Sequence, residues 1–94
     1  MSINVTLYHA NWCGHCQEFM PEWKKFEKEM ETNSKRKVTV NSVEESSLSR
    51  SDMPKINGKD IRGFPTIKIT NGDKEIDYDG KRTAKDLIKY LDNI

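Results

Sequence analysis

A chain of 94 residues with 33% charged and 34% hydrophobic side chains supports one small core, so residues 1–94 are expected to form a single domain. Sixteen Lys and Arg stand against fifteen Asp and Glu, and the two signs are mixed along the chain, so no field favours nucleic acid or an anionic lipid surface. No stretch approaches the roughly 18 apolar residues of a spanning helix, which argues against a membrane partner, and the opening "MSINVTLY" lacks the charged and apolar regions of a secretory leader, which favours the cytoplasm.

Ile3, Val5 and Leu7 alternate with Asn4, Thr6 and Tyr8, the period of a strand with one face on a core. From Cys13 the period changes, and Phe19, Trp23, Phe26 and Met30 form one stripe of an amphipathic helix reaching about Glu31. Pro21 inside that helix removes a backbone donor and predicts a kink. Thr32-Asn33-Ser34 breaks the pattern, the basic run Lys35-Arg36-Lys37 reads as a solvated turn rather than a phosphate site, and Lys37 to Val43 alternates as a second strand. Strand, helix and strand in succession predict a parallel right-handed unit.

The Ser-rich segment from Glu44 to Gly63 carries Pro54 and Gly58 and predicts only a short helix around Ser47 to Met53. Thr66 to Thr70 alternates, Asn71-Gly72 signals a two-residue turn, and Glu75 to Tyr78 alternates back, which predicts a β-hairpin. Asp79-Gly80 makes a turn, and Thr83 followed by Asp86 has the form of a capping box before the helical positions Leu87, Ile88, Leu91 and Ile94. The order β-α-β-(α)-β-β-α predicts an α/β fold with a mixed four-stranded sheet and helices on both faces.

Both cysteines, Cys13 and Cys16, lie in one "WCGHC". A bridge between them closes so short a loop that it removes little entropy from the unfolded chain, which makes a structural staple a poor explanation. A structural zinc site needs four ligands, and only His9 and His15 remain as nitrogen donors, so no metal is expected. Covalent haem attachment requires His directly after the second cysteine, where this sequence has Gln17.

Electron transfer fits better. Cys13 stands where strand gives way to helix, so unpaired backbone N–H groups and the helix dipole face its sulfur and favour the thiolate. Cys13 is therefore the expected nucleophile, and Cys16, one turn further on, the residue that resolves the mixed disulfide. Gly14 and His15 fill the gap between them as part of the same catalytic motif. A protonated His15 stabilises the dithiol form and makes the disulfide a stronger oxidant.

Taken together, "WCGHC", "RGFPT" and "YDGKRTAKDL" resemble the catalytic domains of protein disulfide isomerases, in the thioredoxin superfamily. The motifs keep that family's order and the likeness covers most of the chain except 44–60. It implies a minimal thioredoxin/glutaredoxin-like fold and a monomeric thiol–disulfide oxidoreductase. The activity implied is exchange with protein disulfides or dithiols, without metal or organic cofactor. It also implies that Pro65 is a cis-proline facing the cysteine pair, and that Trp12 and Phe64 flank a groove in which a peptide pairs with exposed backbone.

Three departures qualify the resemblance. Only twelve residues precede Cys13, so a leading strand and helix are expected to be missing and the layout is nearer to glutaredoxins. That raises glutathione as a partner, its carboxylate received at Asp79-Gly80 and the start of the last helix. The buried acid that the family carries six residues before the first cysteine is Leu7 here, which predicts slow resolution by Cys16. Finally, "SRSDMPKINGKDI" exceeds the family's connector, and its Pro54 and Lys55 are placed to reshape the groove. Two alternative functions follow: a glutathione-dependent reductase, and a non-catalytic module that uses the fold as a binding or structural platform.

Overall fold

A computed structural model of the chain describes residues 2–33, 37–47, 55–61 and 63–94. Strand β1 (Ser2–His9) leads into helix α1 (Gly14–Asn33), followed by β2 (Lys37–Glu44) and a 3-10 turn (Glu45–Ser47). Two short strands, β3 (Lys55–Ile56) and β4 (Lys59–Asp60), precede β5 (Thr66–Asn71), β6 (Lys74–Asp77) and helix α2 (Ala84–Asp92).

The main sheet has the order β2-β1-β5-β6. β1 is parallel to β2 and antiparallel to β5, and β5 is antiparallel to β6, so the sheet is mixed as the sequence predicts. Ile3, Val5 and Leu7 of β1 and Ile67 and Ile69 of β5 point to one face, where they are buried with Phe19, Trp23 and Phe26 of α1 and Leu87 and Leu91 of α2. Both helices therefore cover the same face, and they pack on each other. Of the short helix expected around Ser47 to Met53, residues 48–53 lie outside the described residues, as do Lys35 and Arg36. Among the described residues no helix is long and apolar enough to cross a membrane.

Pro21 sits inside α1, and the helix continues through it for three further turns. Thr83 caps α2 as its spacing predicts: its hydroxyl accepts from the Asp86 N–H at 3.1 Å. A carboxylate from the other helix, Glu22 of α1, accepts from the Ala84 N–H at 3.0 Å, which ties the two helices together through the first turn of α2. That bond, with Lys25 beside it at 3.2 Å, holds the Glu22 carboxyl below its ordinary value.

Two details differ from the sequence reading. Asn71 pairs with Lys74, so the two-residue loop of the β5–β6 hairpin is Gly72-Asp73 and not Asn71-Gly72. Gly72 takes φ +63° at the first loop position, where a tight hairpin of this length needs a left-handed residue. Within the segment expected to hold only a short helix, β3 and β4 form a second hairpin through Asn57-Gly58, whose φ angles are 54° and 81°.

Candidate active site

β1 and β5 converge on the cysteines. Tyr8 is paired with Thr66, so the residue before Thr66 lies beside the end of β1, a few residues from the start of α1. That residue is Pro65, buried, and its bond to Phe64 is cis. The turn out of β1 closes with the Cys13 N–H donating to the Ala10 carbonyl at 3.1 Å.

The Cys13 sulfur accepts from the Cys16 backbone N–H at 3.1 Å, one of the first-turn donors that the helix itself leaves without an acceptor. The Cys13 thiol also donates to the Phe64 carbonyl at 3.4 Å. Both cysteines are free thiols, 6% and 1% exposed, and with Ala10 and Phe64 they make a small cluster apart from the main core.

Burial, and next the hydrogen bond with Cys13, push the Cys16 thiol up to about 11; the Ala10 N–H and the Arg82 cation act in the opposite direction. Leu7, six residues before Cys13, is fully buried in the apolar core between the sheet and α1. The sulfur expected to resolve is thus both covered and hard to deprotonate.

Trp12 is 71% exposed, and its ring meets that of Phe64 edge to face with centroids 6.0 Å apart. Its indole N–H donates to Glu45 Oε1 at 3.3 Å, while Glu44 Oε2 accepts from the Asn11 N–H at 3.0 Å. Gln17 Nε2 closes the same loop by donating to the Asn11 carbonyl at 2.8 Å. The Ser46 hydroxyl first of all, and then the Asn11 and Ser46 N–H groups, hold the Glu44 carboxyl below its ordinary value. Nothing in the spacing of the sequence points to these two acids, which act across 33 residues.

His15 and Gly14 are both exposed in the gap between the cysteines. A Cβ at Gly14 would meet only open space, so the fold itself does not require glycine there. Among the described residues no three His, Cys, Asp or Glu side chains converge as a metal ion would need. At the start of α2 the Ala84 and Asp86 N–H groups are already taken by Glu22 and Thr83, so an incoming glutathione carboxylate would have to displace an internal partner.

The family model described as Thioredoxin matches residues 2–93. Protein disulfide-isomerase A6 of Mesocricetus auratus is 39% identical over 82 residues, covering 86% of this chain and 18% of that protein. The A6 homolog of Drosophila melanogaster is 42% identical over 87 residues, covering 89% of this chain and 18% of its own length. The chain therefore spans less than a fifth of these relatives. Among solved structures, the first thioredoxin domain of mouse protein disulfide-isomerase A4 is 30% identical with a TM-score of 0.75, covering 97% of this chain and 61% of that one.

Proposed function

Because the chain belongs to the thioredoxin family, we propose that it is a thiol–disulfide oxidoreductase exchanging electrons between its Cys13/Cys16 pair and protein disulfides or dithiols. It does so as a single monomeric domain over residues 1–94, without metal or organic cofactor. In the reducing direction the Cys13 thiolate attacks one sulfur of a substrate disulfide, forming a mixed disulfide and releasing the first substrate thiolate. The Cys16 thiolate then attacks the Cys13 sulfur, which forms the Cys13–Cys16 disulfide and releases the second. Two electrons pass from the dithiol to the substrate, and the two departing thiolates take up the protons that the cysteines lost. The oxidising direction is the reverse.

The observation that carries this reading is the placement of the Cys13 sulfur, between a helix-start N–H at 3.1 Å and the carbonyl before a cis-proline at 3.4 Å. The N–H stabilises negative charge on the attacking sulfur. The Phe64 and Pro65 backbone offers an extended peptide a strand to pair with, and Trp12 and Phe64 supply an aromatic wall beside it. His15, exposed next to the pair, tunes its potential. The relatives named as disulfide isomerases support protein disulfides as the substrate class. The internal capping of α2 by Glu22 and Thr83 makes glutathione the weaker partner. Disulfide exchange of this kind suits an oxidising compartment, where protein disulfides persist, and so lends no support to the cytoplasmic placement.

Reduction of insulin by dithiothreitol tests the proposal. The wild type is expected to accelerate it well above background and Cys13→Ser to leave it at background. Background rates in both proteins would instead favour a non-catalytic module, a reading that the buried Leu7 and the raised Cys16 thiol support.

A further inference from the structure

In sequence only residues 61–63 separate β4 from Phe64, whose carbonyl lies 3.4 Å from the Cys13 sulfur. Strands of two residues cannot hold their own position by their ladder alone, so the hairpin depends on its contacts with the main sheet.

Glu75 takes part in three of the contacts there, two of them through its carboxylate. Glu75 Oε1 accepts from the Asn57 N–H at 2.7 Å, and the Glu75 carbonyl accepts from Asn57 Nδ2 at 3.1 Å, which pins the tip of the hairpin. Glu75 Oε2 pairs with Lys68 Nζ at 3.3 Å, and the same ammonium donates to the Lys55 carbonyl at 2.8 Å, which pins its base. The register places Glu75 opposite Thr70 and Lys68 opposite Asp77, so both side chains lie on the sheet face away from α1 and α2. Ile56 of β3 is itself buried.

We propose that Glu75 is a positioning residue for peptide substrates: through Asn57 and Lys68 it latches the β3–β4 hairpin so that the Phe64 carbonyl stays in register beside Cys13. The inference rests on the oxidoreductase reading above. A peptide that adds a strand needs the Phe64 backbone in place, whereas a small aromatic disulfide needs only the sulfur. The latch therefore separates two substrate classes.

The test compares Glu75→Ala, Glu75→Gln and Lys68→Met with the wild-type chain by amide hydrogen exchange, by insulin kinetics and by reaction with a small aromatic disulfide. Glu75→Ala is expected to speed exchange at Asn57 and also at Gly63 and Phe64, and to raise the insulin KM about three- to tenfold with kcat and the small-disulfide rate within about twofold. Glu75→Gln keeps an acceptor for the Asn57 N–H and should fall between, and Lys68→Met, which cuts the latch from the other side, should move the same readouts. Faster exchange confined to Asn57 with Phe64 and KM unchanged overturns the proposal, and so does an equal loss towards both substrates. Should the wild type itself fail on insulin, the oxidoreductase reading falls, and exchange at Phe64 alone decides whether Glu75 positions the loop.

Discussion

The backbone N–H of Cys16 donates to the Cys13 sulfur at 3.1 Å, so in the proposed mechanism one residue supplies both a backbone partner for the attacking sulfur and the thiol that attacks it in turn. The two contributions are separable by mutation because only the second needs the side chain. Cys16→Ala is expected to keep Cys13 alkylation by iodoacetamide within about threefold of wild type, since the amide donor stays. It should at the same time accumulate a mixed disulfide between Cys13 and substrate. Mass spectrometry under non-reducing conditions reads both, and a variant with an inert Cys13 would contradict the amide's role.

The same thiol sets a pH dependence. Folding pushes Cys16 up from 9.0 to about 11, chiefly by burial. Its thiolate fraction is therefore low at neutral pH and keeps growing about tenfold per pH unit up to the folded value. Release of a mixed disulfide trapped on Cys13 should accelerate continuously through pH 8 to 10 rather than level off near the value of a free thiol. Leu7→Asp should raise that release about tenfold at pH 7 by offering a proton acceptor, at a cost in thermal stability because Leu7 is fully buried. A release rate unmoved by Leu7→Asp would mean that proton removal from Cys16 does not limit the step.

His15 is exposed between the cysteines, where its imidazole, when protonated, would favour the dithiol over the disulfide. His15→Pro removes the imidazole, and with it any charge it carries when protonated, and the potential measured in glutathione buffers should fall by about 30 mV or more, the equivalent of about 1.4 kcal/mol for two electrons. An unchanged potential would assign the tuning to backbone groups alone.

How much of this was readable in the sequence follows from the range of each interaction. β1, α1, the β5–β6 hairpin and α2 are long enough to show their period, and their bounds in the structure lie within a few residues of those the pattern predicts. The β3–β4 hairpin has two residues per strand, too few for any alternation; its one signal was Asn57-Gly58, the same dipeptide as Asn71-Gly72. The loop of the β5–β6 hairpin lies one residue from where the Asn-Gly signal puts it because either Asn71-Gly72 or Gly72-Asp73 satisfies the glycine, and only the Asn71–Lys74 pairing chooses between them. The cysteines were legible from spacing. The cis bond at Pro65 entered only by resemblance, and the contacts of Glu44 and Glu45 with Asn11 and Trp12 join residues 33 apart, which no local pattern encodes.

Gly80 is fixed by Tyr78, two residues before it. A Cβ on Gly80 would lie 2.7 Å from the Tyr78 hydroxyl oxygen and 2.8 Å from Cζ, closer than side-chain carbons approach other atoms. The ring has little freedom to yield: it is 9% exposed, its hydroxyl donates to the Lys81 carbonyl at 2.7 Å, and it packs edge to face on Tyr90 at 5.2 Å. Gly80→Ala should therefore cost about 1–3 kcal/mol, with each kcal/mol lowering Tm by about 4–8 °C in a domain of this size. Tyr78→Phe in the same chain should not restore it, because the Cζ contact at 2.8 Å remains. A Gly80→Ala variant that melts like wild type would show that the Tyr78 ring moves aside.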